Sequence, residues 1–275
     1  MNTTTFGMDT IRNKLFLHIS ILAVIGFGAA FAYNALNHIN YMRYGQITLE
    51  NSAVMREVFE EKLVIAYNVL APVESTYVVN VDNNCIPNPI IYARELTENA
   101  DIVAYIFVEG TNIEGVILQG ENNQFYLERD VYKRFNVNGS IFLDYQNRND
   151  FTDRNTIIYA HNMRNGIMFH DLQFFMQPEY FANHRYITIL TENHVLTYEI
   201  FAAFSTHIAF EYVRTRFVDD YDFEYFVHSL KERAVNRTET VVETHDRIIL
   251  LSTCTGTHRD MRYVVAGKLV KADEL

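Results

Sequence analysis

From Asp101 onward the sequence consists of short runs rich in β-branched and aromatic residues, separated by turn-forming ones. They are "DIVAYIFVEGTNIEGVILQG", "GSIFLDYQN", "NTIIYAHN", "HRYITILTENHVLTYEIFAAFSTHI" and "RIILLSTCTGTHRDMRYVVAGKLV". Runs of this kind suit a pleated, half-buried surface, and "TENH" between two of them reads as a hairpin turn. Two stretches break the texture, Met168 to Met176 and Asp219 to Val235. The second carries Phe223, Phe226, Val227 and Leu230 at helical spacing among charged residues. A series of strands with one long helical insertion predicts a mainly β chain, a closed or nearly closed barrel with helices packed outside.

The N-terminal part reads differently. Leu15 to Asn34, "LFLHISILAVIGFGAAFAYN", holds no Asp, Glu, Lys or Arg, and about 20 such residues are what a helix needs to cross a hydrocarbon core. Arg12 and Lys14 just before it leave residues 1–14 in the cytoplasm and send the chain after Asn34 outward. A cleaved signal peptide is the competing reading, with Ala29, Ala30 and Ala32 small enough for a cleavage site. The length of the run favours an uncleaved signal anchor at residues 15–34. Residues 35–98 then form a helical and loop linker packing on the body. His38 to about Leu70 shows loose helical periodicity, Ala71 to Pro89 reads as a loop, and Ile90 to Glu98 as a short helix. Residues 99–275 are the β-rich body.

Composition narrows the function. A hydrophobic content of 49% in 275 residues is ample for a packed core. The formal charge of −11, with no long run of Lys and Arg, argues against a nucleic-acid partner. The two cysteines, Cys85 and Cys254, form no CxxC pair, and no HExxH or comparable ligand set is present, so neither a disulfide framework nor a zinc site is indicated. A single Cys85–Cys254 bridge stays open. An exported chain with two distant cysteines is unusual, and this raises Cys254 as a thiol kept for its chemistry.

The period of two along "RIILLSTC" puts Ile248, Leu250, Ser252 and Cys254 on one face of a strand that ends at the cysteine. If Met261 to Val270 pairs back antiparallel, Arg262 comes beside Cys254. A guanidinium there favours the thiolate and offers donors to an oxyanion; a surface Arg after a core Cys is the bland alternative. A thiol nucleophile also needs a proton partner. Of the 10 His residues, His161 stands out because it ends "NTIIYAH" just before the turn "NMRNG", sharing a face with Tyr159.

These residues resemble a known family. "LSTCTGTHRDMRYVVAGKLV" is similar to the Cys-to-Arg segment of sortases, and "IIYAHNMRNGIMFHDL" to their histidine segment in its class B form. "NNQFYLERD" followed by "NGSIFLDYQN" resembles class B sequence upstream of that histidine. The likeness spans roughly Asp101 to Val270, and the order His, Cys, Arg agrees. It departs at Ala160, where a Gly often precedes the His, and in "VEGTNIEGVILQG".

The resemblance implies a sortase-type eight-stranded β-barrel with N-terminal helices and a long helix before the cysteine-bearing strand. It implies a membrane-anchored cysteine transpeptidase of Gram-positive bacteria, extracytoplasmic and without a metal or other cofactor. By matching position Cys254 is the nucleophile, His161 the general acid and base, and Arg262 the residue that holds substrate and oxyanion. Asn123, Leu127, Tyr159, Tyr212, Val213 and Ser252 fall in the substrate groove. The implied partners are secreted proteins with C-terminal sorting signals and a lipid-linked peptidoglycan precursor. A pilin-polymerising enzyme using a Lys acceptor and a catalytically silent anchored binding module are the alternatives. The loop Ala71 to Pro89 lacks an obvious lid motif, against the first, and the intact Cys254, His161 and Arg262 argue against the second. A papain-like protease would place its Cys before its His.

Overall fold

The computed structural model of the protein describes residues 29–59, 88–254 and 260–275. The chain divides into two compact units, Met1–Gln46 and Ile47–Leu275. In the first, the described residues 29–46 are helical. Most of the expected anchor, residues 15–28, lies outside the described residues, as do residues 71–87 with Cys85. Among the described residues no helix is long and apolar enough to cross a membrane.

The second unit is built on one sheet of nine strands among the described residues: β1 (Ile102–Val108), β2 (Glu114–Leu118), β3 (Ile141–Leu143), β4 (Asn155–Tyr159), β5 (Tyr186–Leu190), β6 (His194–His207), β7 (Asn236–Arg237), β8 (Ile248–Cys254) and β9 (Met261–Glu274). The sheet runs in the order β5-β1-β2-β3-β4-β8-β9-β6-β7, and the additional β5–β6 pairing closes eight strands into a barrel, with β7 hanging on β6 outside the ring. The expected eight-stranded barrel is therefore what forms. Closure falls on the hairpin foreseen at "TENH", whose ladder runs from Tyr186 opposite Glu199 to Leu190 opposite Val195. Most neighbours are antiparallel; β2–β3 and β4–β8 are parallel. Closing the ring satisfies both edges of every strand in it, which a mainly β chain has to arrange to avoid edge-to-edge association.

Alternation along the strands separates two faces. Ile249 and Leu251 of β8 point into the barrel with Ile158, Tyr198, Ile200 and Val265. Ile248 and Leu250 face outward, with Ile157, Phe201, Val264 and Ala266, under helix α4 (Asp220–Arg233). That helix starts where the sequence expects it. The Asp219 side chain accepts from the Asp222 N–H at 2.8 Å, Asp220 and Asp222 sit in the first turn, and Lys231 and Arg233 in the last. Cap and charges both match the helix dipole. Its apolar residues Phe223, Phe226, Val227 and Leu230 recur at i, i+3, i+4 and i+7 and are all buried.

Two other outer elements complete the wall. Within the second unit, residues 47–59 are helical (α1), and Met55 and Phe59 are buried against the barrel, the Phe59 ring stacking on Tyr105 at 4.0 Å between centroids. The Thr48 hydroxyl accepts from the amides of both Asn136 and Asn138, at 3.0 Å each. Helix α2 (Pro89–Thr97) is capped by Asn88, whose side chain accepts from the Ile90 N–H at 2.9 Å. The expected helix at Met168 to Met176 appears as a 3₁₀ helix, His170–Met176, and Pro178 then opens the short α3 (Pro178–Asn183), which the strand and helix patterns did not indicate.

Four phenols are held against ionisation, each mainly by burial. Tyr126, Tyr159 and Tyr198 are pushed well above the ordinary tyrosine range, helped at Tyr126 by a hydrogen bond to Asp101 and at Tyr159 by the charge of Asp144. Tyr180 is pushed up to about 12, with the charge of Asp171 adding to burial. A group that binds its proton more tightly when folded contributes stability that is complete below its unfolded pKa, about 10 for tyrosine. That contribution is lost as pH rises through the folded value. The urea midpoint is therefore expected to fall steadily above about pH 10, with tyrosinate absorbance near 295 nm rising together with unfolding. A midpoint constant from about pH 8 to 11 would contradict this.

Candidate active site

Strand β8 ends at Cys254, and in the antiparallel β8–β9 ladder Cys254 stands directly opposite Arg262, after Ser252 opposite Val264 and Thr253 opposite Tyr263. Period-two reading and register thus agree on this pair. Residues 255–259, which join the two strands, lie outside the described residues. Arg262 is half-buried, and its Nη1 donates to the Met261 carbonyl at 2.9 Å.

His161 reaches the same end of the barrel through the parallel β4–β8 pair, in which Tyr159 stands opposite Ser252. The strand stops at Tyr159, two residues earlier than the pattern "NTIIYAH" suggests. Beyond it the ladder loosens to a 3.4 Å bond from the Ala160 N–H to the Ser252 carbonyl. The Thr253 hydroxyl donates to the Ala160 carbonyl at 2.7 Å, and the Phe169 N–H donates to the His161 carbonyl at 3.0 Å. These bonds fix the backbone of His161 beside the end of β8. The ring is held separately, with Nε2 2.7 Å from the Leu127 carbonyl oxygen. A carbonyl only accepts, so Nε2 carries a hydrogen in this arrangement and Nδ1 is the nitrogen left for other work.

Leu127 belongs to the 3₁₀ helix Phe125–Glu128, which is tied down on both sides. The buried Tyr126 donates its hydroxyl to Asp101 at 2.6 Å, and the Asn99 amide donates to the Tyr126 oxygen at 3.1 Å. The Ser140 N–H donates to the Tyr126 carbonyl at 2.9 Å. Gly139 makes this approach feasible: its φ is +59°, and a Cβ there would meet the Leu127 oxygen at 2.5 Å and the Tyr126 oxygen at 2.7 Å.

The remaining sequence-selected residues form two small networks on the outer wall. In one, the Tyr212 and Ser252 hydroxyls are 2.9 Å apart and both residues are buried. Tyr212 is held there because the Asn155 amide donates to the Arg214 carbonyl at 2.7 Å and Arg214 pairs with Asp222 of α4 at 2.5 Å. In the other, the Tyr159 hydroxyl and the Asn123 amide both donate to Oδ2 of Asp144, at 2.9 and 2.8 Å. Beside burial and Asp144, lesser influences act on the Tyr159 proton: Tyr212 adds to its hold and the charge of Arg262 weakens it. Val213 alone shares in neither network and is 46% exposed. Among the described residues no group of three or more His, Cys, Asp or Glu could hold a metal ion.

Residues 106–270 match the model of the sortase domain. The chain belongs to the sortase family. It is 39% identical over 177 residues to sortase B of Listeria monocytogenes, covering 62% of this chain and 71% of that protein, and 31% identical over 175 residues to sortase B of Staphylococcus aureus, covering 63% and 72%. A solved Staphylococcus aureus sortase B–substrate complex superposes with a TM-score of 0.70 at 25% identity, over 84% of this chain and 99% of that one. The chain is thus a sortase of class B, and sortases are cysteine transpeptidases.

Three participants in these arrangements escaped sequence reasoning. Thr253 and Gly139 gave no signal, because a Thr in a strand and a Gly in a turn are ordinary. Asp144 gave a faint one, as a carboxylate ending the otherwise apolar run "SIFL". Replacing Gly139 by Ala should shift the Leu127 carbonyl from His161 and force a left-handed backbone on a residue with a Cβ. The expected loss is at least about 2 kcal/mol of stability, read by urea unfolding. Turnover by the folded fraction should fall about 10- to 100-fold. A variant with wild-type stability and turnover would show that the close approach does not matter.

Proposed function

We propose that this sortase cleaves a C-terminal sorting pentapeptide after its Thr and transfers the protein to an amine of a lipid-linked peptidoglycan precursor. Cys254 is the nucleophile, His161 the general acid and base, and Arg262 the oxyanion and substrate ligand. What carries the reading is the β8–β9 register that sets Cys254 opposite Arg262. The parallel β4–β8 pair and the Thr253 to Ala160 bond that bring His161 alongside support it.

The chemistry follows. A guanidinium beside a thiol favours the thiolate. The thiolate attacks the Thr carbonyl, and the resulting oxyanion accepts hydrogen bonds from Arg262 and backbone N–H groups. The C–N bond breaks as the imidazolium of His161 gives its proton to the leaving amine. The thioester is then opened by the acceptor amine, whose proton passes to His161, and the thiolate is regenerated. With Nε2 committed to the Leu127 carbonyl, Nδ1 is the nitrogen that exchanges the proton. Water in place of the amine gives hydrolysis, the thiol-protease side reaction.

Asn123, Leu127, Tyr159, Tyr212, Val213 and Ser252 line the groove that receives the pentapeptide. Residues 1–14 are cytoplasmic, 15–34 the membrane anchor, 35–98 the linker and 99–275 the extracytoplasmic catalytic barrel. Such an anchor suits the work, since both the sorting signal and the lipid-linked acceptor are presented at the membrane surface.

In a Cys85→Ser background, Cys254→Ala is expected to abolish both cleavage of sorting peptides and capture by a thiol-reactive peptide probe; retained cleavage would sink the mechanism. Arg262→Lys should lower kcat/KM roughly 100-fold or more, because a point charge does not reproduce paired guanidinium donors. Normal turnover in that variant would remove Arg262 from the oxyanion role.

A further inference from the structure

Asp144 lies just past β3 with a side chain that is almost wholly inaccessible: the residue is 1% exposed. Its backbone is fixed on all sides. Its N–H donates to the Ile157 carbonyl at 2.8 Å, and its carbonyl accepts from the Gln119 amide at 3.0 Å and the Asn147 N–H at 3.0 Å. The carboxylate accepts three hydrogen bonds. Oδ1 takes the Gln146 N–H at 2.9 Å, and Oδ2 takes the Tyr159 hydroxyl at 2.9 Å and the Asn123 amide at 2.8 Å. All three donors are neutral. A buried charge without a cation is costly unless its hydrogen bonds are good, and bonds to an ionised acceptor are the strong kind.

We propose that Asp144 is a positioning residue of the substrate groove, whose carboxylate orients Asn123 and Tyr159 and dictates which hydrogen-bonding groups they offer to the peptide. The inference rests on the proposed function only in taking Asn123 and Tyr159 as groove residues. An ionised carboxylate is acceptor-only, so each partner has to aim a hydrogen at it. Tyr159 has one hydroxyl hydrogen and spends it here, and its oxygen then has only lone pairs to offer. Asn123 spends one of its two amide hydrogens, and its Oδ1 accepts from the Tyr145 N–H at 3.0 Å. One amide hydrogen remains. The groove therefore presents an acceptor at Tyr159 and a single donor at Asn123, and the negative charge beneath sets that polarity. A carboxamide in place of the carboxylate has one oxygen that accepts and an NH₂ that only donates, and cannot accept from all three partners as the carboxylate does. If its oxygen keeps Gln146, its NH₂ faces two donors: Tyr159 reverses its hydroxyl and turns its hydrogen to the groove, and the Asn123 amide, held by Tyr145, loses its partner.

The test is steady-state cleavage of a sorting peptide by Asp144→Asn in the full chain, Cys85→Ser background. The expected result is a KM raised about tenfold, the size of losing a charge-assisted bond, with kcat changed much less. The rate at which iodoacetamide alkylates Cys254 should be unchanged. In an Asn123→Ala/Tyr159→Phe background the same substitution should change KM by less than about twofold, since the partners it acts through are gone. A wild-type KM in Asp144→Asn, or a full effect undiminished in that background, overturns the inference and leaves Asp144 a structural residue. Should Asp144→Asn fail to fold, Asn123→Ala and Tyr159→Phe carry the test. Sharing one carboxylate oxygen, their effects on KM should be less than multiplicative, and strict multiplicativity overturns the inference. A wild-type enzyme that cleaves no sorting peptide overturns the proposed function, and this inference with it.

Discussion

The register of the β8–β9 ladder is the constraint on which the rest depends. Side chains alternate with a period of two, so a slip of one residue would move Ile249 and Leu251 out of the barrel interior and bring Ile248 and Leu250 into it. The same slip would separate Cys254 from Arg262. The apolar core and the pairing at the rim are thus set by one choice. Packing of several fully buried aliphatic side chains, each stabilising by roughly 1.5 to 3 kcal/mol, holds a polar arrangement that hydrogen bonds alone would not.

Closure of the barrel gives that register a fixed frame. The long β6 pairs with β5 on one side and β9 on the other, and irregularities at Thr197/Tyr198 and Ile200/Ala202 let it bend while staying bonded. The interior is filled with side chains, so chemistry is confined to the outer wall and the rim. Helix α4 covers the outer face of β8 at Ile248 and Leu250, and the segment carrying Tyr212 is stapled to that helix through Arg214 and Asp222. Ser252, next on the same face, meets the Tyr212 hydroxyl instead of an apolar side chain. The change from apolar cover to hydroxyl pair marks where packing under α4 ends.

Much of this was legible along the chain. Helix α4 announced itself through Phe223, Phe226, Val227 and Leu230 at helical spacing, and the hairpin at "TENH" through its turn residues. The end of β4 was misjudged by two residues, because alternation continues through "YAH" while the partner ladder does not. The segment Met168 to Met176 was recognised as helical but not as 3₁₀, a difference of hydrogen-bonding partner that leaves little trace in side-chain spacing.

By itself the sequence determined most of the strand and helix content and the barrel class, and it singled out His161, Cys254 and Arg262 as candidates. The elements follow from local periodicity, while the trio was singled out by strand-end position and given its roles by the resemblance to sortases. Only the tertiary structure decided that the Leu127 carbonyl holds the His161 ring, that Gly139 must lack a Cβ for it to do so, and that a buried Asp144 underlies Asn123 and Tyr159. Each of these joins segments distant in sequence, through parallel pairings and loop crossings. A carbonyl oxygen or a buried carboxylate gains its role from the neighbour that closure of the barrel brings to it.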